Sequence, residues 1–234
     1  MNIQVIASGS SGNAYRVSDG ETSLLLDAGV PIAVLREALD FNLRSLGGCL
    51  ITHEHQDHCK AGASLARNGI DVYMSAGTAE KLNAIKHHRV KTVRALEEVK
   101  IGSFKVLPFD VQHDAAEPLG FLLTSTATGE KLLYFTDTYY VKYQFRGVTH
   151  MLCECNYSMD VMMKSVADGR LNEGLAKRII KSHMSLEHLL DFLKANDLSR
   201  LRQIYLLHMS NANGDEAAFG EAVRRLTGVE VYVC

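Results

Sequence analysis

Residues 50–62, LITHEHQDHCKAG, place His53, His55, Asp57 and His58 within six positions directly behind an apolar run. Nothing else in the chain restricts its fold as strongly. GCLIT reads as a short buried strand, and on extended chain His53 and His55, two apart, point to the same side. Asp57 and His58 follow where a helix would begin. The pattern is not the helical His-Glu-x-x-His arrangement, whose histidines sit four apart on one face. A single ion with open coordination takes about three protein ligands. Four ligands in six residues, oriented differently, suit two adjacent ions and supply only part of what both require.

The missing ligands must come from other strand ends. His113 in PFDVQHDAAEPLG, Asp137 in LLYFTDT and His208 in IYLLHMSNAN each follow an apolar strand pattern. Further strands are expected at NIQVIA, AYRVS, TSLLLDAG, IDVYMS, LGFLLTST, HMLCECN and VEVYV. Helices are expected at PIAVLREALD, with Pro31 first, and at CKAGASLARNG, stopped at Asn68-Gly69. Three more are expected: TAEKLNAIKHH with Thr78 as N-cap, SLEHLLDFLKAND capped by Ser185, and EAAFGEAVRRLTG. Two groups of strands with attached helices fit an α/β layered sandwich, sheets inside and helices outside, formed as one domain over residues 1–234. Sites in α/β layers gather at strand ends, where these polar residues fall.

Composition removes several classes. A formal net charge of -2 argues against a globally basic nucleic-acid binder while leaving room for a local phosphate site. Five cysteines, an odd number without regular spacing, argue against a disulfide framework and for a reducing compartment. The opening MNIQVIASGS lacks the basic and apolar regions of a signal peptide, and no apolar run approaches the ~18 residues of a membrane span. The expectation is a cytoplasmic enzyme without a membrane partner, with a homodimer the assembly left open.

HEHQDH matches the His-x-His-x-Asp-His signature of the metallo-β-lactamase fold, and the other elements follow in that family's order along essentially the whole chain. The resemblance implies a four-layer αββα sandwich and two divalent metal ions, zinc first and manganese as the alternative. It assigns His53, His55 and His113 to one ion and Asp57, His58 and His208 to the other, with Asp137 bridging and Asp27 in LLLDAG as a supporting acid. The ions would share a hydroxide able to attack phosphorus in an in-line displacement. LCECNY followed by SHMSLEHLLDFL resembles the phosphodiesterase branch that includes ribonuclease Z, and His183 matches the histidine that assists the leaving oxygen there. ASGSSGNAYRV with LLLDAG looks like the opening of the YycJ (WalJ) type, single-domain DNA exonucleases. The expected substrate is therefore a phosphodiester, DNA first, with Asp57, His183 and Asp27 in catalytic roles. Hydrolysis of a thioester or lactam, or of a small cyclic-nucleotide or phosphate ester, is the alternative.

His113 and Asp137 are 24 positions apart and Asp137 and His208 are 71 apart. Neither interval has room for the long arm of ribonuclease Z or the large insertion of RNA-processing relatives beside the fold's own elements. The turn SGSSGN is either a hairpin whose glycines allow positive φ or a nest in which Ser11 and Asn13 meet a phosphate. Cys153 and Cys155 read as buried strand residues, Cys59 as a helix start, and His87, His88 and His188 as solvated helix positions. Lys177, Arg178 and Lys181 read as a solvated face that could contact a phosphate backbone.

Overall fold

Strand order follows chain order through the first half of the protein. The computed structural model describes residues 1–84, 86–210 and 215–234. The chain divides into one unit of residues 1–110 and 115–130 and a second of residues 111–114 and 131–234.

In the first unit, β1 (Asn2–Ala7), β2 (Ala14–Ser18) and β3 (Ser23–Leu26) run antiparallel, followed in parallel by β4 (Leu46–Leu50), β5 (Val72–Met74) and β6 (Val90–Thr92). SLLL is buried at every position, as suits a strand covered on both faces. The register pairs Leu26 with Leu50, so β3 and β4 end side by side. Between these strands lie α1 (Ile32–Ala38), α2 (Gln56–Cys59), α3 (Gly62–Arg67) and α4 (Ala76–Lys81). Leu35, Leu65, Ile51, Val72 and Ala79 share a buried cluster with Leu25 and Cys49. β7 (Val99–Ile101), β8 (Phe104–Asp110) and β9 (Leu119–Ser125) form an antiparallel run in the same unit.

The second unit carries β10 (Lys131–Phe135), β11 (His150–Glu154), β12 (Gln203–Leu207) and β13 (Glu230–Val233), all parallel. HMLCE in β11 is buried throughout. α5 (Met159–Ala167), α6 (Glu173–Ser182) and α7 (Leu186–Ala195) connect β11 to β12, and α8 (Glu216–Thr227) connects β12 to β13. α7 is capped by Ser185 as expected, its hydroxyl accepting from the His188 N–H, and it buries Leu189, Phe192 and Leu193. α8 stops at Gly228, which takes the left-handed conformation.

Some expectations shift. Pro31 is the residue before α1 rather than its first turn. α4 is capped by Ser75, not Thr78: the Ser75 hydroxyl accepts from the Thr78 N–H, and Asn83, at φ 53°, ends the helical course early. Residue 85 of that expected helix lies outside the described residues. α5 and α6 are additional to the expected helices; they bury Met162 and Ser165, and Ala176 and Ser182. β6 and β7, three residues each, are too short to show an alternation.

Asp19 joins two pieces of the first unit. One carboxylate oxygen accepts from the Glu21 and Thr22 N–H groups, and the other accepts from the hydroxyls of Ser103 and Ser125, each at 2.6 Å. Burial by itself would raise its pKa, but these hydrogen bonds outweigh it and hold the carboxyl below its ordinary 3.8. The stabilisation is therefore present above that ordinary value and lost as pH falls through the lower native one. Asp19→Ala strands two buried serine hydroxyls and should cost ~1–3 kcal/mol at neutral pH. Denaturant melts should show the difference between variant and wild type shrinking below pH 4, the ordinary carboxyl being 3.8.

Candidate metal centre

In the first unit the histidine cluster is built on Asp27, the residue after β3. Its backbone turns left-handed, φ 56°, a conformation Asp tolerates, and its N–H donates to the Leu50 carbonyl at 2.8 Å. The wholly buried carboxylate then accepts from the Thr52 N–H at 2.8 Å and from the Thr52 hydroxyl at 3.0 Å, and stands 2.8 Å from His58 Nδ1. The Thr52 hydroxyl, its proton given to Asp27, can accept from His53 Nδ1 at 3.0 Å. Both rings are thus assigned a proton on Nδ1, which leaves Nε2 as the electron-pair donor.

Those donors converge. His53 Nε2 lies 3.0 Å from His55 Nδ1, and His58 Nε2 lies 3.5 Å from an Asp57 carboxylate oxygen. The His53 and His58 ring centroids are 4.3 Å apart. Two imidazole nitrogens facing each other at this distance need a cation or a proton between them, so the donor set fits a divalent ion.

The loop is held at the backbone. Asn13 N–H donates to the Asp57 carbonyl at 2.7 Å, Ala28 N–H to the His58 carbonyl at 2.7 Å, and Gly29 N–H to the Asn13 carbonyl at 2.8 Å. A Cβ on Gly29 would sit 1.6 Å from the Asp57 carbonyl oxygen, so no other residue permits this approach. Asn13 is wholly buried, its side-chain oxygen accepting from the Gly9 N–H and the Tyr15 hydroxyl. Its amide nitrogen reaches the Gly9 and Asp57 carbonyls and His58 Nε2. Ser11, two residues earlier, is exposed.

The second unit gathers His113, Asp137, His183 and His208. Asp137 and His208 follow β10 and β12 and, like Asp27, take left-handed turns, at φ 48° and 53°. His113 Nδ1 donates to the Ser182 carbonyl at 3.2 Å, leaving Nε2 facing an Asp137 oxygen at 3.6 Å. Burial pulls the His113 pKa below its ordinary value despite Asp137, favouring the neutral ring that metals bind. His208 Nδ1 lies 3.6 Å from the other Asp137 oxygen, and the Asn156 side-chain amide donates to the His208 carbonyl at 2.7 Å.

The residue that sequence reasoning missed is Glu154, the last of β11. It is wholly buried, and one oxygen accepts from the Thr138 and Met184 N–H groups at 2.9 and 3.1 Å. The other lies 2.5 Å from His183 Nδ1 and 3.4 Å from His208 Nδ1. The available signal was an acid inside the otherwise apolar HMLCECN, since a carboxylate buried in a central strand needs dedicated partners. Burial would raise the Glu154 pKa, but the His183 charge and hydrogen bond lower it. Burial would likewise strip the His183 proton, but the facing carboxylate reverses this and raises the pKa above ordinary. The His183 ring stacks on His208, with centroids 5.3 Å apart and planes 8° from parallel.

A beta-lactamase superfamily domain model matches residues 22–209. The chain belongs to the β-lactamase superfamily. Among superfamily relatives, it is 30% identical over 230 residues to the exodeoxyribonuclease YycJ of Bacillus anthracis, covering 91% of this chain and 84% of that protein. It is 28% identical over 244 residues to the exodeoxyribonuclease WalJ of Streptococcus pneumoniae, covering 98% and 89%. The metallo-β-lactamase fold protein YhfI from Bacillus subtilis superposes with a TM-score of 0.74 at 18% identity, over 99% of this chain and 95% of that one. The expected fold class is met, two sheets with helices in a metallo-β-lactamase fold. The superfamily member is a metal-dependent hydrolase, and its His and Asp clusters have the donors of a divalent-metal site. Among the described residues no helix is long and apolar enough to cross a membrane.

Gly29→Ala tests the seating of the loop. The substitution should cost ~3 kcal/mol or more and lower the metal content of purified protein, read by thermal melting and elemental analysis.

Proposed function

We propose that the ligands of the two units act as one dinuclear centre, and that residues 1–234 form a single phosphodiesterase domain cleaving DNA from an end. His53, His55 and His113 hold one divalent ion, Asp57, His58 and His208 the other, and Asp137 bridges them. Zinc is the first candidate and manganese the second, since nitrogen and oxygen donors accept both. Bound there, the ions supply Lewis acidity and an activated water for attack on phosphorus. Asp27 acts as a positioning residue, orienting His58 directly and His53 through Thr52. Asp57 adds negative charge beside the histidines, and its carbonyl ties the loop to Asn13.

The observation that carries this reading is the pairing of His183 with buried Glu154 at 2.5 Å. A sugar alkoxide is a far poorer leaving group than a thiolate, and a positioned proton donor lowers the barrier to its departure. Glu154 fixes the His183 tautomer and supports its proton, so Nε2 can deliver it to the leaving oxygen. Thioester hydrolysis gains little from such a pair. Both named relatives are exodeoxyribonucleases along nearly the whole chain, which supports DNA as the substrate. Lys177, Arg178 and Lys181 line a shallow cavity of about 330 Å³ with Asp114 and Ser182, on the helix that ends at His183. They suit the strand's phosphates. Ser11, exposed on its turn, is assigned a substrate contact, and Asn13 beneath it holds that turn. A DNA substrate also suits a cytoplasmic location.

End-labelled single- and double-stranded DNA and RNA, a bis-aryl phosphodiester, a lactoyl thioester and a β-lactam should be offered in parallel to zinc- and manganese-loaded protein. The expected result is stepwise release of nucleotides from DNA ends and turnover of the aryl diester. Hydrolysis of the thioester or lactam alone overturns the reading. His183→Ala should keep its metal and lose about 10²–10⁴-fold in DNA turnover, read by elemental analysis beside single-turnover kinetics.

A further inference from the structure

The segment after Asp137 in the second unit carries an aromatic and cationic surface that the chemistry above does not use. Tyr139 and Tyr140 are 37% and 54% exposed, and Lys142 Nζ stands 5.1 Å from the Tyr143 ring centroid. The segment is anchored at its root. Thr138 donates its N–H to Glu154 at 2.9 Å and its hydroxyl to the Tyr140 carbonyl at 2.8 Å.

Beside it is a cavity of about 370 Å³ lined by Tyr140, Lys142, Tyr143, Met184, His188 and Phe192. That volume falls within the ~300–1,000 Å³ of small-ligand sites. Its Phe192 wall is braced by Phe135 and Phe145, with ring centroids 5.2 and 6.4 Å away. Met184 adjoins His183, and consecutive Cα atoms are only ~3.8 Å apart. The cavity thus begins one residue from the proposed proton donor and follows the proposed bridging carboxylate by three residues.

We infer that this cavity receives the base of the nucleotide at the cleaved end of a DNA strand, stacked on Tyr140, with Lys142 meeting the adjoining phosphate. The inference rests on the phosphodiesterase reading and names where that substrate is gripped. A nucleotide offers a π-face and an anion, and the lining of this cavity includes both an aromatic ring, Tyr140, and an ammonium, Lys142. An aromatic ring stacks bases of any identity, so a grip through Tyr140 would be on the base as such rather than its sequence. His188 edges the cavity with a group able to donate or accept a hydrogen bond.

The test compares two nuclease-resistant, phosphorothioate-linked single strands of equal length, one of thymidines and one with two abasic residues at each end. Binding to metal-loaded protein is read by fluorescence anisotropy. Wild type should bind the base-bearing strand about tenfold more tightly, Tyr140→Ala should bind both equally, and Tyr140→Phe should restore the preference. Matching melting temperatures establish that the variants fold. If Tyr140→Ala keeps the preference, or wild type shows none while still cleaving DNA, the base site is wrong and the phosphodiesterase reading stands. If wild type neither binds nor cleaves DNA, the DNA reading falls and this inference with it.

Discussion

The buried carboxylate of Asp27 is the constraint on which the histidine loop depends. It is wholly inaccessible to water and accepts from the Thr52 backbone and hydroxyl while facing His58 Nδ1. A buried carboxylate is costly unless every such partner is present, so the fold that satisfies Asp27 also fixes which nitrogen of His58 carries the proton. Through the Thr52 hydroxyl the same carboxylate fixes His53. One residue thereby sets the donor atoms of two histidines proposed as ligands.

The second unit solves the same problem with different parts. The Ser182 carbonyl accepts a hydrogen bond from His113 Nδ1, and Glu154 organises His183 beside His208. Asp27, Asp137 and His208 all leave their strands through left-handed turns at residues other than glycine, a modest strain that re-aims a side chain where the strand ends. Asp40, Phe41, Asn83 and Leu96 take the same conformation elsewhere, so the turn is a common device of this backbone that these three positions share. Gly29 contributes in the opposite sense, by having no side chain where the Asp57 carbonyl must pass.

Much of this was legible in sequence, and the limits have physical causes. HEHQDH stands out because it is local, and His113, Asp137 and His208 because each follows an apolar strand. The ends of β10 and β12 are where that pattern placed Asp137 and His208. Glu154 did not register, because its partners Thr138, His183 and Met184 are remote in sequence and meet it only in the folded unit. The N-cap of α4 was misplaced because Ser75 and Thr78 are both capping residues, and only the backbone conformation after β5 selects between them. α5 and α6 lie outside the sequence expectations although each carries a local start signal, Ser158 accepting from the Val161 N–H and Asn172 from the Gly174 and Leu175 N–H groups. The sequence expectation gives Asn13 a substrate contact; in the structure the polar partners of its side chain are Gly9, Tyr15, Asp57 and His58.

The central claim is that seven side chains from two units of one chain hold two metal ions at which a phosphodiester is cleaved. Anomalous diffraction from zinc-loaded crystals tests it most directly. Two peaks ~3.5–4 Å apart, one on His53, His55 and His113 and one on Asp57, His58 and His208 with Asp137 between them, are the predicted result. A single ion held by Asp137, Glu154, His183 and His208, whose candidate donor atoms lie within 4.8 Å of one another, would contradict it by making His183 a ligand instead of a proton donor.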